Sequence, residues 1–432
     1  MRKISNILKK RNKYLAPSFS LSYDEPLFIK RGEGQYLFDH EGNKYLDAIN
    51  NISHVGHCHP KVVEAAYNQS ILLNTNTRYL HESILDYSSS LIDKLPDNLT
   101  TCFFTNSGSE SNDLALRIAR LYNNSKESIV MSGAYHGHTN SLIDISPYKF
   151  FGSGGAGKKD FVHVVPMPNE FAGEHLDTGS IFGDYYITAL KNKIDKIKKD
   201  GKKLAFFIVE PIMGCGGQVI IPNDFMKEAF VLVKEAGGLF IVDEVQIGFG
   251  RIGTHFWGFE MSGVRPDIVT LGKSIGNGHP LSVVITTKQI AETFNNGMEY
   301  FNSFGGNPVS CKIGQSVLEV IKEEKLQNNA QKTGVYLVKG LISLKQKYSL
   351  IGDVRGKGLF IGIEIIKNNN KLSPDAVVAD KIVNALRQKR VLISSDGPNH
   401  NVLKIKPPMV FNIQDADYLL ESLEAVLKKI IK

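Results

Sequence analysis

Six consecutive apolar residues, Leu204-Ala205-Phe206-Phe207-Ile208-Val209, stand in the middle of the chain. A strand with one face in water alternates apolar and polar residues, so an unbroken run predicts a strand covered on both sides. Four other short runs read the same way: Thr101 to Thr105, Ser128 to Met131, Leu239 to Val242 and Asp267 to Thr270. Segments with helical spacing lie between them, such as Asp113 to Tyr122. Alternation of this kind predicts an α/β fold with a mostly parallel central sheet flanked by helices. Near residue 311 the texture changes to a long charged helical pattern, followed by a strand-like run from Gly356 to Glu364. A smaller α+β C-terminal domain is expected there. The expected division is an N-terminal segment over 1–49 packing with the small domain, a large domain over 50–310 and the small domain over 311–432.

At 432 residues, 42% of them hydrophobic, the chain has enough apolar material for a large core, and no apolar run approaches membrane-spanning length. Cys58, Cys102, Cys215 and Cys311 show no paired spacing, which argues against a disulfide framework and predicts a cytoplasmic protein. The stretch from Met1 to Lys13, basic and without acids, reads as a solvated N-terminal helix rather than an organelle transit peptide. A net charge of +7, spread out and without a recognition motif, excludes neither steering of anionic ligands nor a small-molecule role, but it is no nucleic-acid signature.

The chemistry concentrates around two residues. Asp243 ends the apolar run Leu239 to Val242, and Lys273 follows the strand-like Asp267 to Leu271 and precedes Gly276 and Gly278. A Schiff-base enzyme needs a lysine held rigidly against a cofactor aldehyde and a buried carboxylate that keeps a pyridine nitrogen protonated. The pairing therefore points to pyridoxal phosphate. Ser107-Gly108-Ser109 lies between a strand and a helix, where free amides and hydroxyls make an anion site. Tyr135 and His136, just after another strand end, offer aromatic faces for stacking on a planar ring.

Other patterns fail on inspection. His57-Cys58-His59 crowds its ligands and has no second cluster, so no metal site is expected. Gly152 to Lys158 has Walker A spacing, but Lys159 stands where a Ser or Thr must hold magnesium. Gly248 to Gly253 spells a dinucleotide fingerprint, yet aromatic residues rather than a helical pattern follow it.

The Gly-Ser-Glu loop, Tyr135-His136-Gly137, Val209-Glu210-Pro211, Asp243-Glu244-Val245-Gln246, the Lys273 segment and Ser303-Phe304-Gly305-Gly306-Asn307-Pro308 occur in an order and spacing that resembles the class III pyridoxal-phosphate aminotransferases. The resemblance runs over nearly the whole chain and implies a fold type I homodimer with active sites shared across its interface. It implies that Lys273 binds the cofactor covalently, that Asp243 pairs with the pyridine nitrogen and that Gln246 lies near the ring hydroxyl. Ser107, Gly108 and Ser109 would bind the phosphate, Tyr135 would stack on the ring, and His136 and Glu210 would complete the cofactor-binding set. Ser303 would reach the phosphate of the neighbouring subunit.

Two departures bear on the reaction. Where amino-acid-specific members carry an arginine before a Pro-Pro pair, this chain reads Leu403-Lys404-Ile405-Lys406-Pro407-Pro408. Lysine cannot supply the bidentate fork that holds a substrate carboxylate. Where some members keep a glutamate five residues after Glu210, this chain has Cys215. Asn50 to Pro60, Leu73 to His81, Met298 to Asn302 and Asp396 to Pro408 resemble instead the ethanolamine-phosphate and phosphohydroxylysine phospho-lyase branch. That likeness implies elimination of phosphate from a β-amino phosphate ester, with an ω-aminotransferase as the alternative. Arg78, Lys404 and Lys406 are its candidate ligands for the leaving phosphate. No membrane or nucleic-acid partner is expected.

Overall fold

The central sheet has seven strands in the spatial order Thr101–Thr105, Ser282–Thr286, Ile268–Leu271, Leu239–Asp243, Leu204–Val209, Glu127–Met131 and Val162–Val165. Only Ser282–Thr286 runs against the others. The structure, a computed structural model, describes residues 2–179, 181–367 and 370–431; Met1, the first residue of the expected N-terminal helix, lies outside them.

The unbroken apolar runs are explained by two cores. Phe206, Ile208, Ile241 and Ile268 join one, together with Leu114 and Ile118 of the helix Gly108–Asn123. Phe207, Val209, Val242 and Val269 point to the other, with Phe225, Ala229 and Val233 of the helix Asn223–Glu235. Successive strand residues face opposite sides, so a sheet covered on both must be apolar at every position. Ser282–Thr286 and Val162–Val165 were not among the sequence-predicted strands. Both are short, and the second is an edge strand whose His163 reaches Glu127 at 2.7 Å, a polar interruption that masks the pattern.

Toward the C-terminus the helices Pro308–Glu323 and Leu326–Lys347 lead into a smaller antiparallel sheet. The strand-like run Gly356 to Glu364 is not one strand: Ile351–Lys357 and Phe360–Lys367 form a hairpin, with Gly358 at φ +53° in its turn. Val402–Ile405 pairs with Phe360–Lys367, placing Lys404 opposite Gly362. The two ends of the chain meet where Val391 and Leu392 pair in parallel with Leu46 and Asp47.

The dinucleotide-like Gly248 to Gly253 is a packing device. Gly253 lies so close to the helix Leu326–Lys347 that a Cβ there would stand 2.5 Å from the Cα of Gln331. Arg251, fully buried, donates Nη1 to the carbonyls of Leu359 at 3.1 Å and Pro407 at 2.8 Å, fastening the later segment to this loop. The same helix contacts the hairpin through Gly334, where a Cβ would lie 2.2 Å from the carbonyl oxygen of Gly358. Gly334→Ala should therefore destabilise by about 1–3 kcal/mol despite alanine's better helix propensity, read as a lower denaturation midpoint.

Candidate active site

Five strand ends converge on one cavity. Asp243 is the last residue of its strand and stands in register with Thr270 of the neighbouring one, three residues before Lys273. Glu210 follows Leu204–Val209, Tyr135 and His136 follow Glu127–Met131, and Ser107 follows Thr101–Thr105. The carboxyl ends of parallel strands are where open α/β sheets bind ligands. Ser107, Gly108, Ser109, Asn112, Tyr135, His136, Glu210, Asp243, Gln246 and Lys273 all line a cavity of about 150 Å³.

Asp243 is buried and held by three donors. Its Oδ2 accepts from Asn112 Nδ2 at 2.8 Å and contacts His136 Nδ1 at 2.9 Å, while Oδ1 accepts from the amide of Val245 at 3.1 Å. Asn112 is fixed in turn by Thr270 Oγ1, which donates to its Oδ1 at 2.6 Å. The sequence reading did not assign Asn112 a role. Its signal was the position one helical turn beyond Gly108, on the face turned to the sheet.

Ser107 caps the helix Gly108–Asn123, its Oγ accepting from the amide of Glu110 at 3.2 Å. Gly108 is pressed against neighbours, a Cβ there meeting Val245 Cγ1 at 2.8 Å, and Gly272 would bring a Cβ to 3.2 Å from the Gly108 Cα. A side chain at either position would collide with this packing, so glycine is required where the two loops meet. Lys273 opens a short helical turn with φ +37°, a left-handed conformation rare outside glycine and common at functional sites.

On the opposite side Gln246 Oε1 accepts from Asn51 Nδ2 at 3.1 Å and Lys406 Nζ at 2.8 Å. Lys404 Nζ donates to Asp396 Oδ2 at 2.6 Å. Burial, then the nearby Lys404 and Lys273, push the Lys406 amine down to about 7. Cys215 faces this group, its thiol pushed up to about 12 by burial and by the charges of Asp396 and Glu210. Tyr148, which the sequence reading passed over, stands beside Tyr135 with ring centroids 6.3 Å apart. It borders a second cavity of about 610 Å³ that also reaches Lys149, Arg355 and His400.

Two of the sequence-predicted residues are elsewhere. Arg78 is exposed, paired with Glu299 at 3.1 Å and 4.1 Å above the Phe301 ring, so one chain does not bring it to Lys404 and Lys406. Ser303 is exposed on the same loop as Glu299 and Phe301. The rings of His57 and His59 diverge, one to Asp47 at 2.6 Å and the other to Glu324 at 2.9 Å.

The cavity fits a planar, phosphorylated, aldehyde-bearing cofactor. Its lining supplies an amine, a buried carboxylate and the Ser107-Gly108-Ser109 turn at a helix N-terminus, while His136 Nε2 and Glu210 Oε1 are buried without a hydrogen-bond partner among the described residues.

Fold and cavity together define a fold type I pyridoxal-phosphate enzyme. Residues 19–427 match the family model described as aminotransferase class-III, and the chain belongs to that family, with pyridoxal 5′-phosphate as its cofactor. It is 46% identical over 432 residues to an "alanine–glyoxylate aminotransferase 2-like" protein of Drosophila melanogaster, covering 98% of this chain and 87% of the relative. It is 41% identical to an "ethanolamine-phosphate phospho-lyase homolog 1" of Caenorhabditis elegans, covering 99% and 94%. Among solved structures, a phospholyase from Arthrobacter in complex with phosphoethanolamine superposes with a TM-score of 0.92 at 36% identity, covering 98% of this chain and 99% of that one.

Glu210 yields a pH prediction. Burial, and then the charge of Asp243, raises its carboxyl from 4.5 to about 7. The folded state thus disfavours the ionised form, and stability is lost as pH rises from about 4.5 to about 7. Glu210→Gln should raise the melting temperature of cofactor-free protein at pH 8 and leave it unchanged at about pH 3, well below the unfolded value, where both states are protonated. Asp243→Asn, which keeps shape but removes charge, should lower turnover by about 10²–10³-fold, measured as kcat at saturating cofactor.

Proposed function

We propose that this enzyme is a phospho-lyase that eliminates phosphate from a β-amino phosphate ester such as O-phosphoethanolamine, giving an aldehyde, ammonia and inorganic phosphate. The observation that carries the reading is the pair Lys404 and Lys406 beside Gln246, where a carboxylate-binding arginine would otherwise stand, with Cys215 in place of its switching glutamate. Without that switch the site lacks a means of alternating between two carboxylate substrates. Elimination needs only one. The Caenorhabditis and Arthrobacter proteins described above support the same reading.

When bound, pyridoxal 5′-phosphate supplies an electron-withdrawing ring that acidifies the substrate carbon bearing the amine. In our assignment Lys273 is the covalent anchor and the base that removes that carbon's proton. Asp243, held by Asn112, His136 and the Val245 amide, keeps the pyridine nitrogen protonated. Tyr135 covers the ring, Gln246 faces the ring hydroxyl, and the amides and hydroxyls of Ser107, Gly108 and Ser109 hold the cofactor phosphate. Glu210 and His136 bound the ring on its buried side. Lys404 and Lys406 would stabilise the departing phosphate: the electron pair left at the deprotonated carbon forms a double bond to its neighbour, and the C–O bonding pair leaves with the phosphate oxygen. Water then completes the release of aldehyde and ammonia.

We further propose a homodimer. Leu72, Tyr79, Leu80, Met298 and Phe304 are large exposed apolar residues on the segments that carry Arg78 and Ser303, and such a surface favours a protein partner. A second copy seated there would receive Ser303 at its cofactor phosphate and Arg78 at its substrate phosphate. The division at residues 49 and 310 and a cytoplasmic setting belong to the same proposal. Four free cysteines support the setting, and no described helix is long and apolar enough to cross a membrane.

An ω-aminotransferase is the second reading, favoured by the aminotransferase-named Drosophila relative. The deciding measurement is phosphate release from O-phosphoethanolamine or 5-phosphohydroxylysine with no keto acid present. Catalytic release with stoichiometric ammonia is expected; activity that appears only when pyruvate is added would assign the aminotransferase. Lys404→Ala should lower elimination by about 10²-fold with cofactor loading intact. Lys273→Ala should abolish the lysine-linked chromophore.

A further inference from the structure

Gln246 is gripped from behind. Its Oε1 accepts two hydrogen bonds, from Lys406 Nζ at 2.8 Å and from Asn51 Nδ2 at 3.1 Å. Asn51 Nδ2 can only donate, as can Lys406 while it is charged, so the atom of the amide that meets both is the oxygen. The amide NH₂ is thereby turned the other way, toward Gly214 and Glu210. A Cβ on Gly214 would lie 2.6 Å from Gln246 Nε2 and 3.1 Å from Glu210 Oε2, so this position stays bare where the amide faces the cavity.

Both gripping residues are themselves fixed. Asn51 is buried, and Lys406 donates its backbone amide to the carbonyl of Ala48 at 2.9 Å. The carbonyl of Pro407, the next residue, is held by Arg251 at 2.8 Å. Lys406 is buried over the Phe360 ring, and the Asp396 carboxylate in this cluster is bonded to Lys404 instead. Lys406 therefore directs its donor to a neutral amide rather than to a carboxylate.

We propose that Lys406 and Asn51 are positioning residues for the cofactor: by occupying the amide oxygen of Gln246 they lock its NH₂ toward the cavity as a fixed donor to the oxyanion on the cofactor ring. The inference rests on the placement of Gln246 beside the ring hydroxyl, but not on whether the reaction is elimination or transamination. A donor at that oxygen withdraws negative charge from it and weakens its hold on the proton of the adjacent lysine-linked nitrogen. Loss of the donor makes that nitrogen more basic. The groups facing Lys406 are Lys404, Lys273, Cys215 and Asp396, and burial with the two lysines leaves its amine near 7, so part of its charge is lost within the neutral range.

The test is the pH midpoint at which the visible absorbance of the lysine-linked chromophore changes in cofactor-loaded enzyme, a quantity that ordinary loss of stability does not move. Gln246→Ala, Lys406→Met and Asn51→Ala should each raise the midpoint, by about one pH unit for the first two, the scale of one lost hydrogen bond. The double variant Gln246→Ala/Lys406→Met should shift no further than Gln246→Ala alone, because Lys406 acts through the amide. Additive shifts would show Lys406 acting directly by its charge and would overturn the proposal. Asn51→Ala keeps every charge and serves if Lys406→Met fails to fold; an unmoved midpoint in this variant counts against the proposal. An unchanged midpoint in Gln246→Ala would remove Gln246 itself from the ring oxygen, a failure of the earlier assignment that the other variants distinguish.

Discussion

A carboxylate buried at the centre of a sheet governs this molecule. Asp243 ends the middle strand and is almost entirely shielded from water. An ion in that position costs several kcal/mol unless donors surround it. Asn112, His136 and the Val245 amide supply them, and each comes from a different segment. Satisfying one charge thus fixes the first helix of the phosphate loop, the segment after Glu127–Met131 and the turn after Asp243 relative to one another. The proximity of Asp243 also raises the Glu210 carboxyl, so a second acid can stay protonated in the same cavity near neutral pH.

Much of this was legible in the chain. The apolar runs announced a sheet covered on both faces, and Asp243 and Lys273 announced themselves because each follows such a run. What stayed hidden was pairing at long range. Asn112 lies just beyond the Ser107-Gly108-Ser109 turn, but nothing local says that it faces a strand residue 131 positions later. Asn51 and Lys406 reach the same amide from opposite ends of the chain, a meeting that no local pattern records. The hairpin at Gly358 was read as one strand because its first arm, Ile351–Lys357, is largely polar and glycine-containing and does not announce itself, so the apolar second arm absorbed the residues before the turn. The dinucleotide-like glycines were rightly set aside, but their actual role was not visible locally: Gly250 and Gly253 make room for the helix Leu326–Lys347, and Gly248 for the Trp257 ring.

The basic residues of the site divide into two kinds. Lys404 has a carboxylate partner, Asp396, at hydrogen-bond distance. Lys406 meets an uncharged amide in a buried setting, and its charge is correspondingly easier to lose. Two lysines two positions apart along an extended segment therefore meet different surroundings: one a carboxylate, the other a neutral amide in a buried setting that lowers its amine. An arginine in the place of either would not offer this difference, since its guanidinium stays protonated.

The parallel pairing of Val391 and Leu392 with Leu46 and Asp47 has a bearing on how the protein is made. Synthesis proceeds from the N-terminus, so Asn51 emerges well before Lys406, which follows every strand of the central sheet. Until then the amide of Gln246 is gripped by one partner rather than two, and the strand Lys44–Asp47 lacks its parallel neighbour. The strands of the central sheet all precede Lys406, so the face of the cavity beside Gln246 is completed only after the segment carrying that lysine has emerged.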